Sequence, residues 1–250
     1  MADDFESYAP GAFPAPTWLD AGAFMPVPPV AALPSATVEL TTDAFGNPTR
    51  ALAMSAQVAL VSGIYAPVSP SSFYTLAADV RVDRFSDAAS APPEDFAIQL
   101  TFASLVDNLY VAPQAGIYAA SQSQDWRLFL LDAGYLDLPL LPVTLGQWVR
   151  LRLDVQQSTG AWRAIIDDIA SGVRLVDQTG LFPSWGPGSG QWDAVAFIEG
   201  EGSPSTISNL AWVDNINVTT RPVPAPPAII LLGAGAAALA ALRRGRARGA

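Results

Sequence analysis

Residues Trp148 to Val155 alternate with a period of two. Val149, Leu151, Leu153 and Val155 share one face, and Trp148, Arg150, Arg152 and Asp154 share the other. A strand with one apolar face and one wet face belongs in an antiparallel sheet packed on one side. Tyr74 to Asp83 repeats the pattern, with Leu76, Val80 and Val82 opposite Asp79, Arg81 and Asp83. Phe96, Ile98, Leu100 and Phe102 alternate with Ala97, Gln99 and Thr101. Further strands are expected at Thr37–Thr42, Arg50–Met54, Val58–Ser62, Gly116–Ala119, Trp126–Leu131, Trp162–Asp167, Val173–Asp177, Ala194–Ile198 and Trp212–Thr219. Gly, Pro, Asn, Asp and Ser punctuate the runs, and no helical stripe interrupts them between Ser35 and Thr219. Near the start, Pro10, Pro14, Pro16, Pro26, Pro28, Pro29 and Pro34 leave room for one short strand and an extended loop. Two antiparallel sheets stacked face to face satisfy such a pattern.

Missing residue types narrow the chemistry. The 250 residues include no cysteine, so disulfides and thiolate metal sites are excluded. They include no histidine, which removes the Ser-His-Asp and Cys-His arrangements and histidine-ligated zinc. All 13 basic residues are arginine, and four of them follow Leu242. The body before them holds nine arginines against 23 acids, a net of −14. So acidic a body repels phosphate backbones, and nucleic acid is not an expected partner. Divalent cations and neutral sugars are compatible with it.

The last thirty residues are of another kind. A proline-rich stretch from Arg221 to Pro227 leads into an uncharged run, Ala228 to Leu242, stopped by Arg243, Arg244, Arg246 and Arg248. Pro226 and Pro227 suit the first turn of a helix. A helix from Pro226 to Leu242 would be about 25 Å long, a marginal span for a hydrocarbon core of about 30 Å, helped by snorkelling arginines. Arginines on that flank alone place it in the cytoplasm and the body outside. Three segments are therefore expected: a sandwich over 1–219, a proline linker over 220–227 and a hydrophobic helix with a basic stop over 228–250.

This tail resembles the PEP-CTERM class of bacterial sorting signals, in its Val-Pro-Leu-Pro-Ala variant. The motif here is Val223-Pro224-Ala225-Pro226, without the glutamate of the PEP form and with Ala225 in place of the variant's leucine. The resemblance implies an inner-membrane protein with its C-terminus cytoplasmic, handed by an exosortase to the cell surface or an extracellular matrix. A plain C-terminal anchor is the alternative, and it puts the same domain outside. Met1–Glu6 has neither the basic nor the apolar region of a signal peptide, so the outward reading expects a leader ahead of it. A cytoplasmic protein with a tail anchor is the other arrangement.

The body also resembles a known family. "DDFESYAPGAFPAPTW", "GQWVRLRLDVQQSTGAWRAIIDD" and "NLAWVDNINVT" are similar to segments of the concanavalin A-like (laminin G-like) jelly rolls. That resemblance implies an all-β antiparallel jelly-roll sandwich with its first and last strands side by side, and it allows a structural calcium at their junction. Calcium takes oxygen ligands and needs neither histidine nor cysteine. Asp214 shares parity with Trp212, Ile216 and Val218, which points it toward the apolar side, where a bare carboxylate needs partners or a metal. Glu6 and Asp214, with Asp4 as a third, are the candidate calcium ligands; a turn or bulge cap is the other role for Asp214.

Aromatic faces pack on sugar rings, and three tryptophans are candidate ligand contacts. Trp185 and Trp192 bracket the glycine-rich "GPGSGQ", and Trp148 lies on a wet face beside Arg150 and Arg152. Core packing is the competing role for all three. Glu199 and Glu201 form the close glutamate pair, in a segment that reads as an acidic turn. Asp167-Asp168 and Asp43–Asn47 read as turn chemistry, and Arg81/Asp83 and Arg150/Asp154 as surface pairs. The expected function is a non-catalytic, surface-displayed module that binds envelope or matrix polysaccharide. A glycoside hydrolase or lyase is the runner-up, and a purely structural surface protein the third reading.

Overall fold

The computed structural model describes residues 1–20, 36–54, 62–69, 71–85, 96–106, 109–131, 135–182, 192, 194–199 and 209–221. Its strands in chain order are β1 (Ala2–Asp3), β2 (Leu19–Asp20), β3 (Ala36–Thr42), β4 (Pro48–Met54), β5 (Ser62–Pro67), β6 (Phe73–Arg84), β7 (Phe96–Val106) and β8 (Leu109–Ala120). They continue with β9 (Asp125–Leu131), β10 (Tyr135–Pro142), β11 (Trp148–Gln156), β12 (Ala161–Asp168), β13 (Arg174–Leu181), β14 (Ala194–Glu199) and β15 (Leu210–Arg221). They form two antiparallel sheets. The larger has the order β13-β12-β11-β6-β15-β4-β3, with β1 also on β15; the smaller runs β10-β9-β8-β7-β14-β5-β2.

The alternation in the sequence becomes the core between the sheets. Leu76, Ala78, Val80 and Val82 of β6 point inward beside Leu151, Leu153 and Val155 of β11. Ile98, Leu100 and Phe102 of β7 and Leu128 and Leu130 of β9 meet them from the smaller sheet. Each fully buried side chain of this size contributes about 1.5–3 kcal/mol. Two hairpins, β11–β12 and β12–β13, are closed at Gly160 (φ 67°) and Gly172 (φ 69°), in a left-handed conformation that costs glycine nothing.

Two departures from the sequence pattern have plain causes. Strand β10 is absent from the expected set because Pro139 and Pro142 interrupt its alternation. It lies at the edge of its sheet, where a missing N–H is tolerated, and a register shift between Pro139 and Leu141 absorbs the irregularity. The expected strand at Val58–Ser62 falls largely outside the described residues; β5 begins at Ser62. The expected linker and helix beyond residue 221 also lie outside them. Among the described residues, no helix is long and apolar enough to cross a membrane.

The first and last strands do lie side by side: Ala2 pairs with Asn217 and Asp3 with Ile216. Asp3 fixes the chain that follows β1, accepting from the Phe5 N–H (3.0 Å), the Tyr8 hydroxyl (3.1 Å) and Trp18 Nε1 (2.9 Å). Phe5 and Trp18 are fully buried, so this leading segment is packed into the sandwich.

Candidate functional site

The outward face of the larger sheet is built from cross-strand rows centred on β6. In register across β11, β6 and β15 stand Trp148, Arg81 and Trp212; then Arg150, Asp79 and Asp214; then Arg152, Ala77 and Asn217. Two more rows follow: Asp154, Thr75 and Thr219; then Gln156, Phe73 and Arg221.

The first row is closed. The Arg81 guanidinium lies 5.1 Å from the Trp148 ring and 5.2 Å from the Trp212 ring, a cation held between two indoles. Arg81 also donates to Thr41 Oγ1 (2.9 Å) and Thr42 O (3.2 Å). The indole N–H groups are used as well, Trp148 on Thr42 O and Trp212 on Asp83 Oδ2, each at 2.8 Å. Trp148 is therefore only 6% exposed despite its wet-face parity, and it offers no open ring to a sugar. Strand alternation cannot show this, because the cover comes from β3 and β6.

The second row carries the buried charge. Asp79 accepts from Arg150 Nε (2.6 Å), Arg150 Nη2 (2.8 Å) and Asn215 Nδ2 (2.9 Å). Arg150 thus pairs with Asp79 and not with Asp154; Asp154 takes Arg152 instead, at 2.9–3.0 Å. Arg81 and Asp83 do pair as expected, at 2.8 Å.

Asp214 is buried, at 6% exposure, but not toward the core. A β-bulge breaks the register between Asp214 and Asn217, with Asn215 at φ 48°. The extra residue shifts parity by one. Trp212 and Asp214 face outward, whereas Ile216 and Val218 turn in with Val213. The Asn215 N–H donates to Asp214 Oδ1 at 2.7 Å, and Asp4 and Glu6 of the leading segment lie near enough to act on its charge. Burial pushes its carboxyl up to about 7, and the negative charges of Asp79, Glu6 and Asp4 add to the rise.

Glu6 stands on the surface. Its Oε1 accepts from Thr49 Oγ1 (2.7 Å) and the Arg50 N–H (3.0 Å), and those bonds hold its carboxyl below the usual range. Asp4 Oδ1 accepts from the Glu6 N–H at 3.2 Å. Both lie close enough to Asp214 to act on its charge, but among the described residues no group of three such side chains is disposed to hold a metal ion. As placed, Glu6 is committed to β4, so the expected calcium set does not form a ready cradle.

Trp192 is a core residue. It is fully buried, stacked on Phe102 (5.3 Å between centroids, 20° between planes) and edge-on to Tyr74 at 5.0 Å. It cannot meet a ligand from that position. Trp185, Glu201 and the Val223, Pro224, Ala225 and Pro226 motif lie outside the described residues. Asp43 is turn chemistry, accepting from the Phe45 and Asn47 N–H groups at 2.8 Å; Asp168 accepts from Ala170 N–H and the Ser171 hydroxyl.

What these rows leave open is a broad depression of about 1050 Å³ on the outer face. Thr75 and Ala77 form its floor, Arg150 and Arg152 one wall, and Asn215, Asn217 and Thr219 the other. Tyr8 and Ser7 of the leading segment raise that second wall, and Phe73 with Arg221 closes one end. Ala77 makes the hollow: it is the short residue in a row whose flanks are Arg152 and Asn217. The polar groups around it are held in place. Thr75 Oγ1 donates to Asp154 at 2.6 Å, Thr219 Oγ1 to Asn217 Oδ1 at 3.1 Å, and Arg221 lies over the Phe73 ring at 5.1 Å. Apart from Arg150 and Arg152, none of these residues stands out in the sequence, because three strands far apart in the chain supply them. The one local signal is an alanine at a wet strand position.

No protein-family model and no curated protein sequence matches the chain. Solved structures do. The chain is similar to a sialidase (TM-score 0.54, 12% identity, over 88% of this chain), of which it spans only 18%. It is also similar to cellulose induced protein Cip1 (TM-score 0.53, 13% identity, 89% of this chain and 98% of that one). A third is arcelin-5, a lectin-like defense protein from Phaseolus vulgaris (TM-score 0.50, 8% identity, 88% and 99%). The fold these structures share with the chain is an antiparallel two-sheet β-sandwich. At these identities the likeness carries the fold alone, and the jelly-roll expectation holds at that level.

Proposed function

We propose that this chain is a non-catalytic carbohydrate-binding module, displayed outside the cell and held there or sorted through its C-terminal segment. The observation that carries the reading is the hollow over Ala77. It is open and long, and it is walled by hydrogen-bonding side chains that are themselves anchored. Such preorganised polar groups suit a hydroxyl-rich ligand, because little ordering is left to be done on binding. The lectin-like fold of arcelin-5 accords with this. The non-catalytic part rests on the carboxylates. Asp79 and Asp214 are cross-strand partners, but both are buried, and Asp79 is already engaged by Arg150 and Asn215. A hydrolase needs its acid and base within reach of the scissile bond.

A glycan array probed with the full chain tests the binding. Retention of at least one oligosaccharide, lost on Ala77→Trp, is the expected result; an array blank for the wild type sinks the proposal. The tail reading rests on sequence order: prolines, an apolar run, then arginines. Protease protection of an epitope-tagged chain tests it, and a body protected inside intact cells overturns it. The calcium reading rests on Asp214, a buried carboxyl surrounded by other acids, whose ionised form would gain most from an added divalent ion. Binding there would require Glu6 to exchange Thr49 and Arg50 for the ion.

A further inference from the structure

The depression gathers cations in an acidic protein. Arg150, Arg152 and Arg221 all line it, three of the nine arginines ahead of Leu242, in a chain with 23 acids. The carboxylates that hold two of them are hidden. The Asp79 and Asp154 side chains are 6% and 10% exposed, whereas the Arg150 and Arg152 side chains are 52% and 46% exposed. Each carboxylate takes Nε and Nη2 of its arginine, which leaves Nη1 of each fork for another acceptor. Asn217 adds to the donors: its Oδ1 is taken by Thr219, which leaves its amide N–H groups. On the leading-segment wall, Asp3 already accepts from three donors, and Asp4, whose Oδ1 accepts from the Glu6 N–H, is the exposed carboxylate set against the three guanidinium groups. What the hollow offers a ligand is therefore weighted toward fixed donors, with the matching anions beneath the surface.

Guanidinium groups anchored in this way recognise planar oxyanions, because the fork is held at the right orientation before the ligand arrives. The backbones of Arg152 and Arg221 stand four residues apart along the strands and two strands apart across them, about 13 Å by about 10 Å at ordinary strand dimensions. Arg152 leans toward Asp154 and Arg221 over Phe73, so the two guanidinium groups converge on one stretch of the hollow, where carboxylates of one chain can meet both.

We propose that the ligand of this depression is an acidic polysaccharide, a polyuronate whose carboxylates are met by Arg152 and Arg221. This rests on the carbohydrate-binding reading above and narrows it to one chemical class. The experiment is affinity gel electrophoresis of the full chain in polygalacturonate, in fully methyl-esterified polygalacturonate and in neutral dextran. The ester keeps the backbone and removes the charge. Retardation by polygalacturonate, abolished on esterification and by raised salt, is expected. Arg221→Gln should weaken it about tenfold, the loss of one charge-assisted contact. Arg221 holds no buried carboxylate, so its loss should not disturb folding. Arg152→Lys, which keeps a cation beside Asp154, should weaken it several-fold through loss of the planar fork. Equal retardation by polygalacturonate and its ester overturns the inference, as does binding indifferent to both substitutions. Retention of neutral glycans alone overturns it and leaves the carbohydrate reading standing. Binding to neither class overturns both.

Discussion

Asp214→Asn should stabilise this protein at neutral and alkaline pH. The folded carboxyl titrates at about 7, against 3.8 for the ordinary value, because it is buried beside Asp79, Glu6 and Asp4. Its pKa is raised on folding, so between those two values the folded state keeps a proton that the unfolded state has lost. Stability is undiminished by this group below 3.8, declines as pH rises, and levels off above about 7. A shift of roughly three units at about 1.4 kcal/mol per unit sets a ceiling of about 4 kcal/mol. Water in the neighbouring depression screens part of that, and about 2 kcal/mol is the working figure. Asparagine keeps an oxygen for the Asn215 N–H and carries no charge. Urea unfolding of both proteins at pH 5 and pH 8, in EDTA, measures the difference. The wild type should lose about 1 kcal/mol between the two conditions relative to the variant, the rest of the effect having been lost between 3.8 and pH 5. Parallel pH profiles would refute the account of Asp214 as an uncompensated buried carboxyl. Repeating the pH 8 measurement with calcium tests the metal reading: a gain in the wild type that Asp214→Asn lacks supports it, and no gain in either disposes of it.

Three further outcomes are expected. Arg81→Met removes the cation between Trp148 and Trp212 and should cost about 2 kcal/mol in urea unfolding, with a red shift in tryptophan emission as both rings gain water. Asp177, held between Arg163 and Arg174, should titrate at about 2 by NMR and move toward 3.8 in Arg163→Gln; an unchanged midpoint contradicts the paired geometry. Gly116→Ala puts a methyl group against the Leu100 carbonyl and 2.6 Å from Phe129 Cε1, where backbone cannot yield, and should lower stability by about 1–3 kcal/mol in thermal melts.

The alternating runs make the strands legible from residue order alone, because the two-residue period of a strand is local: Leu76, Val80 and Val82 face inward wherever the strand is placed. Composition is equally local, and the absence of histidine, cysteine and lysine removes whole classes of chemistry by itself. The pairing of first and last strands is likewise implied by resemblance. The fate of individual wet-face residues is not legible. Trp148 reads as an open platform until β3 and Arg81 close over it, and Trp192 reads as a loop residue until it stacks on Phe102. Asp214 reads as inward until a single bulge at Asn215 reverses the parity beyond it.

Register between strands decided the depression. Arg150 reaches Asp79 across 71 residues of chain, and Asn215 reaches the same carboxylate across 136. No local pattern encodes such meetings, because each depends on which strands become neighbours and on how far one slides along the next. The sequence by itself determined that this chain forms two-faced strands, an acidic body and an arginine-stopped tail. Only tertiary structure decided that Ala77 falls between Arg152 and Asn217, and so that the outer face is hollow there.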